Sequence, residues 1–92
     1  LEVGKRLAQL AATQQVIVVT HLAQVAAFAD QHIVVEKEVQ GQRTLTRTRA
    51  LTAKERATEV ARMLSGVEES ASATAHAAEL LGLAAAARRV AG

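Results

Sequence analysis

The sequence predicts an α/β fold in which one buried parallel strand, a β-hairpin and flanking helices form part of a larger domain. The first observation is the β-branched run Val16 to Val19, which lacks polar alternation and is typical of a strand covered on both faces. The second is the helical periodicity of residues 1–13, which precedes that run. The third is Gly41-Gln42, which separates two β-rich segments and favours a hairpin.

The first half of the chain contains the elements that support this fold class. Residues 1–13 are predicted to be an amphipathic helix with one apolar stripe, formed by Val3, Leu7, Leu10 and Ala11. A short Ala-rich helix is predicted over residues 22–29, after the buried strand. Strands are predicted over residues 32–40 and 43–50, joined by a type II′ turn. Their register sets Glu36 opposite Arg47 and makes one hairpin face charged.

Two further helices are predicted in the second half of the chain. Thr52 and Glu55 have the spacing of a capping box, so a helix begins there, and Ser65-Gly66 ends it. A final Ala-rich helix spans residues 70–90, with an apolar side formed by Ala73, Ala77, Leu80, Leu81 and Ala84.

Composition indicates a small intracellular chain with a thin core. The 92 residues include a single aromatic residue, Phe28, and no cysteine, which excludes disulfides and thiolate metal sites. A net charge of +2 does not by itself indicate nucleic-acid binding. No apolar run reaches the length of a membrane span, so we expect no membrane partner. The sequence begins with Leu1 inside a helical pattern, which predicts a fragment of a longer polypeptide.

A strand buried on both faces requires neighbouring strands, and this chain offers only an amphipathic hairpin. We therefore expect the partners of Val16 to Val19 to come from another part of the same polypeptide or from a second chain. Residues 1–92 are accordingly predicted to be part of one domain that does not fold autonomously.

Thr20 and His21 follow the predicted strand, and ligands of open parallel sheets bind at the carboxyl ends of strands. An imidazole at that position could donate a hydrogen bond to a phosphate or to an attacking water. The alternative is that His21 caps the following helix or bonds to backbone. The sequence leaves both interpretations open.

Other polar residues are predicted to have structural positions. His32 is expected to be exposed and His76 to pack between helices, and the three histidines do not have metal-ligand spacing, so no metal site is expected. Arg43, Arg47 and Arg49 could contact phosphates, but glutamates face them and an ion-pair ladder is favoured. An exposed helix face is predicted for Lys54, Glu55, Arg56, Glu59 and Arg62.

Three segments together resemble the C-terminal end of the RecN family of bacterial DNA repair proteins, which are SMC-like members of the ABC ATPase class. They are the segment VTHLAQVA over residues 19–26, the hairpin, and EVARMLSG over residues 59–66. The final Glu-Leu-Leu at residues 79–81 also fits. The resemblance covers essentially the whole chain.

This resemblance implies that residues 1–92 are the C-terminal part of a P-loop NTPase head that is split along one polypeptide. The N-terminal part of the same head would be a partner, a second head would join on ATP binding, and ATP and Mg²⁺ would bind the complete head. The Walker A, signature and Walker B segments would lie outside this chain, which agrees with its lack of a Gly-rich phosphate loop. The chain alone is therefore expected to be inactive.

The resemblance also implies roles for individual residues. His21 would be the H-loop histidine that senses the γ-phosphate of ATP, and Thr20 would lie on the same side of the nucleotide. ATP hydrolysis on head dimerisation would drive double-strand-break repair, and DNA would bind the full-length protein. The expected location is the cytoplasm, in association with the nucleoid.

Two other functions stay open from the residues alone. A strand followed by Thr-His also fits the head of another SMC-like or ABC-type ATPase. Alternatively, the chain could be a small basic module that uses Arg43, Arg47 and Arg49 to bind DNA or a protein.

Overall fold

The computed structural model describes residues 1–66 and 71–91. These residues form a mixed helix and strand structure with a two-stranded antiparallel sheet. The helices and strands are, in chain order, α1 (Glu2–Ala11), α2 (Ala23–Ala26), β1 (Ile33–Gln40), β2 (Arg43–Ala50), α3 (Ala53–Ser65) and α4 (Ala71–Ala91).

The core lies where α2, α3 and α4 meet, and most of its side chains are small. Val60 is the largest side chain that is completely buried, and the ring of Phe28 is 4% exposed. The remaining buried residues are Ala23, Ala27, Ala61, Ala73, Ala77, Leu80 and Ala84. The apolar stripe predicted for α4 is thus confirmed, with Leu81 partly buried beside it. Residue 70, where that helix was predicted to begin, lies outside the described residues.

The helix α1 forms where the periodicity predicts it, and its packing face includes Leu7 and Ala11 of the predicted stripe, both half-buried, but not the other two residues. Val3 and Leu10 of the predicted stripe are exposed, whereas Gly4 is buried and Ala8 packs against the core. A Cβ on Gly4 would lie 2.3 Å from the Cδ2 of Phe28. The missing side chain therefore permits a close approach that larger stripe residues would block.

The strand predicted at Val16 to Val19 does not form among the described residues. These residues belong to no strand in the structure, and the side chains of Ile17 and Val19 are 84% and 99% exposed. The only strand pairing among the described residues is between β1 and β2. A buried parallel strand needs neighbours on both sides, and no other described strand is available to pair with this run.

The hairpin prediction is confirmed in register and turn. Glu36 lies opposite Arg47, and the turn places Gly41 at a φ of 62°. No non-glycine residue among those described has a positive φ, so the positive φ is confined to the first central turn position, as a type II′ turn requires. The first strand begins at Ile33, one residue later than predicted.

Both predicted ends of α3 are confirmed. The Thr52 hydroxyl accepts a hydrogen bond from the Glu55 N–H at 3.2 Å, and the Glu55 carboxylate accepts from the Thr52 N–H at 3.1 Å. Gly66 follows the last turn with a φ of 78°, in the left-handed region that glycine adopts without strain. Along residues 1–66 and 71–91, no helix is both long and apolar enough to cross a membrane.

Candidate functional site

The candidate site begins where the exposed run Val16 to Val19 turns into α2. The Thr20 hydroxyl accepts a hydrogen bond from the N–H of Leu22 at 3.0 Å. This bond closes a tight local turn of the kind that serine and threonine form with a nearby backbone N–H. Thr20 therefore fixes the direction in which the chain enters α2.

His21 occupies the middle of this turn and is exposed. In the part of the chain that the structure describes, its imidazole makes no hydrogen bond and no ion pair. His21 therefore does not act as a helix cap: α2 begins after Leu22 without a side-chain cap, and the hydrogen bond to the Leu22 N–H is made by Thr20. Thr20 and His21 thus lie in one local turn, and the sheet edge predicted for them does not form within the described residues.

The opposite end of α2 is held by an arginine on α3. The guanidinium of Arg56 donates through Nη2 to three backbone carbonyl oxygens, those of Ala26 at 3.3 Å, Ala27 at 2.9 Å and Ala29 at 2.5 Å. Carbonyls at a helix end lack partners within the helix, so a charged donor satisfies them well. The prediction that Arg56 lies on an exposed helix face is wrong.

A second arginine, Arg88 on α4, reaches the same place. Its Nη1 donates to the carbonyl oxygen of Ala27 at 3.1 Å, and its Nε lies 3.5 Å from the Asp30 carboxylate. We call Arg56 and Arg88 together the arginine clamp. Burial lowers the pKa of Arg56, and the neighbouring charge of Arg88 lowers it further, while Asp30 opposes the shift.

The arginine clamp was not found from the sequence, although one signal was present. Arg56 lies one turn before Val60, which is fully buried, so its Cα faces the core side of α3. The apolar spacing marks Val60 as a residue of that face, but it does not indicate that the charged side chain four residues earlier shares the face. Arg88 lies in the last turn of α4, where a basic residue is favourable by itself, so its position gives no signal of the contact with Ala27.

His32 is half-buried rather than exposed, which corrects a second prediction. Burial lowers the pKa of His32, and the charge of Arg56 adds to this effect, whereas Glu59 opposes it. The Nδ1 atom of His32 is buried without a hydrogen-bond partner. His32 and the arginine clamp line one cleft together with Asp30.

The remaining histidine, His76, is exposed on α4 and does not pack between helices as predicted. His76 lies between the buried residues Ala73 and Ala77 in sequence, but it is not part of the buried stripe of α4. Within residues 1–66 and 71–91, no group of three or more His, Cys, Asp or Glu side chains is arranged to hold a metal ion.

The charged face of the hairpin forms the predicted ion-pair ladder. Arg47 lies 3.3 Å from Glu38, and Arg49 lies 3.5 Å from Glu36. Arg49 also pairs with Glu55, which connects the hairpin to the first turn of α3. Hydrogen bonds from the Thr52 backbone and from Arg49 lower the pKa of Glu55. Two of the three arginines that could contact phosphates are therefore already paired.

Comparison with known proteins identifies the class to which these features belong. No family model matches the chain. The curated relatives it matches are DNA repair proteins, and each is matched over a segment that makes up 14% of its length. The chain thus spans about one seventh of these relatives.

The relatives carry the name DNA repair protein RecN. The chain is 53% identical to that of Streptomyces coelicolor over 81 residues, which is 88% of this chain. It is 52% identical to that of Mycobacterium tuberculosis over the same length, and 39% identical to that of Bacillus subtilis over 79 residues, 86% of the chain. The chain is homologous to a C-terminal segment of RecN, and the predicted resemblance is confirmed.

Proposed function

We propose that this chain is the C-terminal part of an ABC-type ATPase head, in which ATP hydrolysis on head dimerisation drives DNA repair. The observation that carries the proposal is the apolar run Val16 to Val19, whose residues 17–19 are exposed, followed by Thr20 and an unpaired His21. The homology to RecN supports a role in DNA repair. Residues 1–92 would form part of a single head domain, and the N-terminal part of the same polypeptide would complete that domain.

The exposure of the run is the physical reason to expect a partner. Burying a valine or isoleucine side chain stabilises a protein by roughly 1.5–3 kcal/mol. Burial of the exposed side chains of this run by a partner would therefore stabilise the complex substantially. An unpaired apolar segment also leaves backbone N–H and C=O groups available to strands on either side. Strands from the rest of the head would cover both faces of this segment and make it the parallel strand that its sequence predicts.

In this proposal His21 acts on the γ-phosphate of ATP. An imidazole N–H donates a hydrogen bond to a γ-phosphate oxygen, and this bond strengthens as charge develops during transfer of the phosphoryl group to water. Thr20 orients the backbone of the turn through its bond to Leu22, and the turn carries His21 at its surface. His21 needs no partner within the chain for this role, which fits its exposure.

Bound Mg²⁺ would neutralise charge on the β- and γ-phosphates. The described residues contain no cluster suited to hold it. We therefore propose that its ligands and the catalytic glutamate come from other parts of the polypeptide, and we assign neither role to Thr20 or His21. DNA would bind the complete protein, which would work in the cytoplasm at the nucleoid.

The decisive experiment measures ATP turnover by the complete polypeptide with His21→Ala. Loss of a donor to the developing charge lowers turnover by roughly 100- to 1000-fold, while nucleotide binding is retained. His76→Ala is the matched control, because His76 is also an exposed histidine without a partner among the described residues. Turnover equal to that of the control would remove His21 from the mechanism.

The proposed covering of Val16 to Val19 has its own test. Hydrogen exchange of these backbone amides in the complete polypeptide should be slow, since strand pairing protects them. Exchange as fast as that of exposed loops would mean that the run remains unpaired and that the head is assembled in another way.

The two other functions have less support. The relatives with 39–53% identity favour RecN over another SMC-like or ABC-type head. The basic module requires available arginines, but Arg47 and Arg49 are engaged by glutamates. Of the three, Arg43 alone makes no ion pair within the described ranges.

A further inference from the structure

The short helix α2 lies between the candidate histidine and the arginine clamp. His21 precedes its N-terminus, and the two arginines bind carbonyls at its C-terminus. It has only four residues, Ala23–Ala26, and a helix of this length is not stable by itself. Its position must therefore be set by contacts with other elements. The clamp supplies these contacts from α3 and α4, two helices that also form the core.

The arginine clamp differs from a surface ion pair in its burial and in its bonding. Arg56 and Arg88 are both partly buried, and they converge on the same carbonyl oxygen, that of Ala27, at 2.9 and 3.1 Å. Two like charges approach each other there, which is unfavourable unless both are well bonded. The side chain of Arg88 is 26% exposed, so solvent screens this arrangement only partly.

A third contact fixes the helix from the side of α1. Phe28 lies two residues after the end of α2, and its ring packs against Gly4, where a Cβ would be only 2.3 Å from the ring. Helices α1, α3 and α4 therefore all contact the segment from Ala23 to Ala29. The side of α2 that leads back to His21 also has contacts, since Ala23 is 6% exposed and a Cβ on Gly4 would lie 2.8 Å from the carbonyl oxygen of Gln24.

We propose that Arg56, assisted by Arg88, is a positioning residue that sets the location of His21 by holding the far end of α2. This inference rests on the proposed function, because it assigns His21 to the γ-phosphate. The hydrogen bonds of Arg56 go to backbone carbonyls of the segment that includes α2, so we assign it no direct role at the phosphate. Its effect on turnover passes through the four residues of α2, which connect the bonded carbonyls to the turn that contains His21.

The test compares ATP turnover of the complete polypeptide carrying Arg56→Met, Arg56→Lys or the matched control Lys54→Met. Lys54 lies two residues earlier on the same helix, is exposed, and makes no ion pair within the described residues. Misplacement of a reacting group by about 1 Å lowers rates by up to roughly 100-fold, so we expect Arg56→Met to lower kcat by about 10- to 100-fold. The KM for ATP should stay close to that of the control, and Arg56→Lys should retain intermediate turnover.

A double variant separates positioning from general damage. If Arg56 acts through His21, adding Arg56→Met to His21→Ala should lower kcat no further, because the group being positioned is already gone. A further loss as large as in the wild-type background would overturn the inference. So would a kcat for Arg56→Met equal to that of Lys54→Met. Should Arg56→Met fail to fold, Arg56→Lys and Arg88→Met carry the same comparison, with Arg89→Met as the control for α4.

The failure of the proposed function would look different. In that case His21→Ala alone would leave turnover unchanged, whatever Arg56 does. Hydrogen exchange over residues 22–29 provides the separate readout for the clamp. Faster exchange there in Arg56→Met than in Lys54→Met is expected, and equal exchange in both variants would show that the clamp does not hold α2.

Discussion

Replacing Gly4 with alanine tests the contact through which α1 packs on the segment that follows His21. The new Cβ would lie 2.3 Å from the Cδ2 of Phe28 and 2.8 Å from the carbonyl oxygen of Gln24. Carbon atoms in contact are about 3.5–4.0 Å apart, so the ring or the helix must move by about 1 Å or more. The ring has little room, since Phe28 is 4% exposed.

Two opposing effects set the magnitude. Alanine is favoured over glycine inside a helix by about 1 kcal/mol. Overpacking a core contact costs about 1–3 kcal/mol. We therefore expect Gly4→Ala to destabilise the contact by about 0–2 kcal/mol in total. Gly82→Ala on α4 is the matched control, because nothing lies within 4 Å of a Cβ there and only the stabilising effect should remain.

Hydrogen exchange of the complete polypeptide measures both variants in one experiment. Gly4→Ala should speed exchange over residues 2–11 and 22–29, whereas Gly82→Ala should slow it over α4. Each 1.4 kcal/mol corresponds to about a tenfold change in the opening equilibrium. If Gly4→Ala slows exchange in α1 as Gly82→Ala does in α4, the close approach of Gly4 to Phe28 does not exist and the reasoning is refuted.

Two further predictions concern stability. Thr52→Ala removes the hydroxyl that accepts a hydrogen bond from the Glu55 N–H, so it should destabilise α3 by about 1 kcal/mol. The control Thr58→Ala, in the middle of the same helix, should be neutral or slightly stabilising, and urea denaturation compares the two variants. Burial lowers the pKa of His32 below its ordinary value of 6.5, so the unfolded chain binds a proton that the folded chain resists. The contribution of neutral His32 to stability should be fully present above pH 6.5 and should decline as the pH falls toward the lowered pKa. His32→Gln should remove this part of the decline in melting temperature. A decline in His32→Gln as large as that in the control His76→Gln would contradict the prediction.

The elements that the sequence predicts correctly are those determined by local interactions. The hairpin depends on Gly41 at a position of positive φ and on alternation within each strand, and both are readable from neighbouring residues. The capping box of Thr52 and Glu55 is local in the same way. In each case the partners lie within a few residues along the chain, so no knowledge of the tertiary structure is needed.

The residues around α2 could not be placed in this way because their partners are distant in sequence. Arg56 binds carbonyls that lie 27 to 30 residues away, and Arg88 binds one that lies 61 residues away. Periodicity predicts which helix face is apolar, but it does not predict that a charged residue at the edge of that face will find buried carbonyls. The same reason accounts for His32, whose burial depends on the position of α3.

The proposed function would give a physical reason for a histidine just before α2. On one side of His21, Val19 is 99% exposed, and on the other side the chain is held by Arg56 and Arg88. If strands from the rest of the head pair with Val16 to Val19, His21 becomes fixed from both sides. The imidazole would then be ordered only in the assembled head, because one of its two supports comes from outside the chain. Assembly of the head and placement of the γ-phosphate donor would thus be the same event, which accounts for an exposed, unpaired histidine next to a tightly held helix.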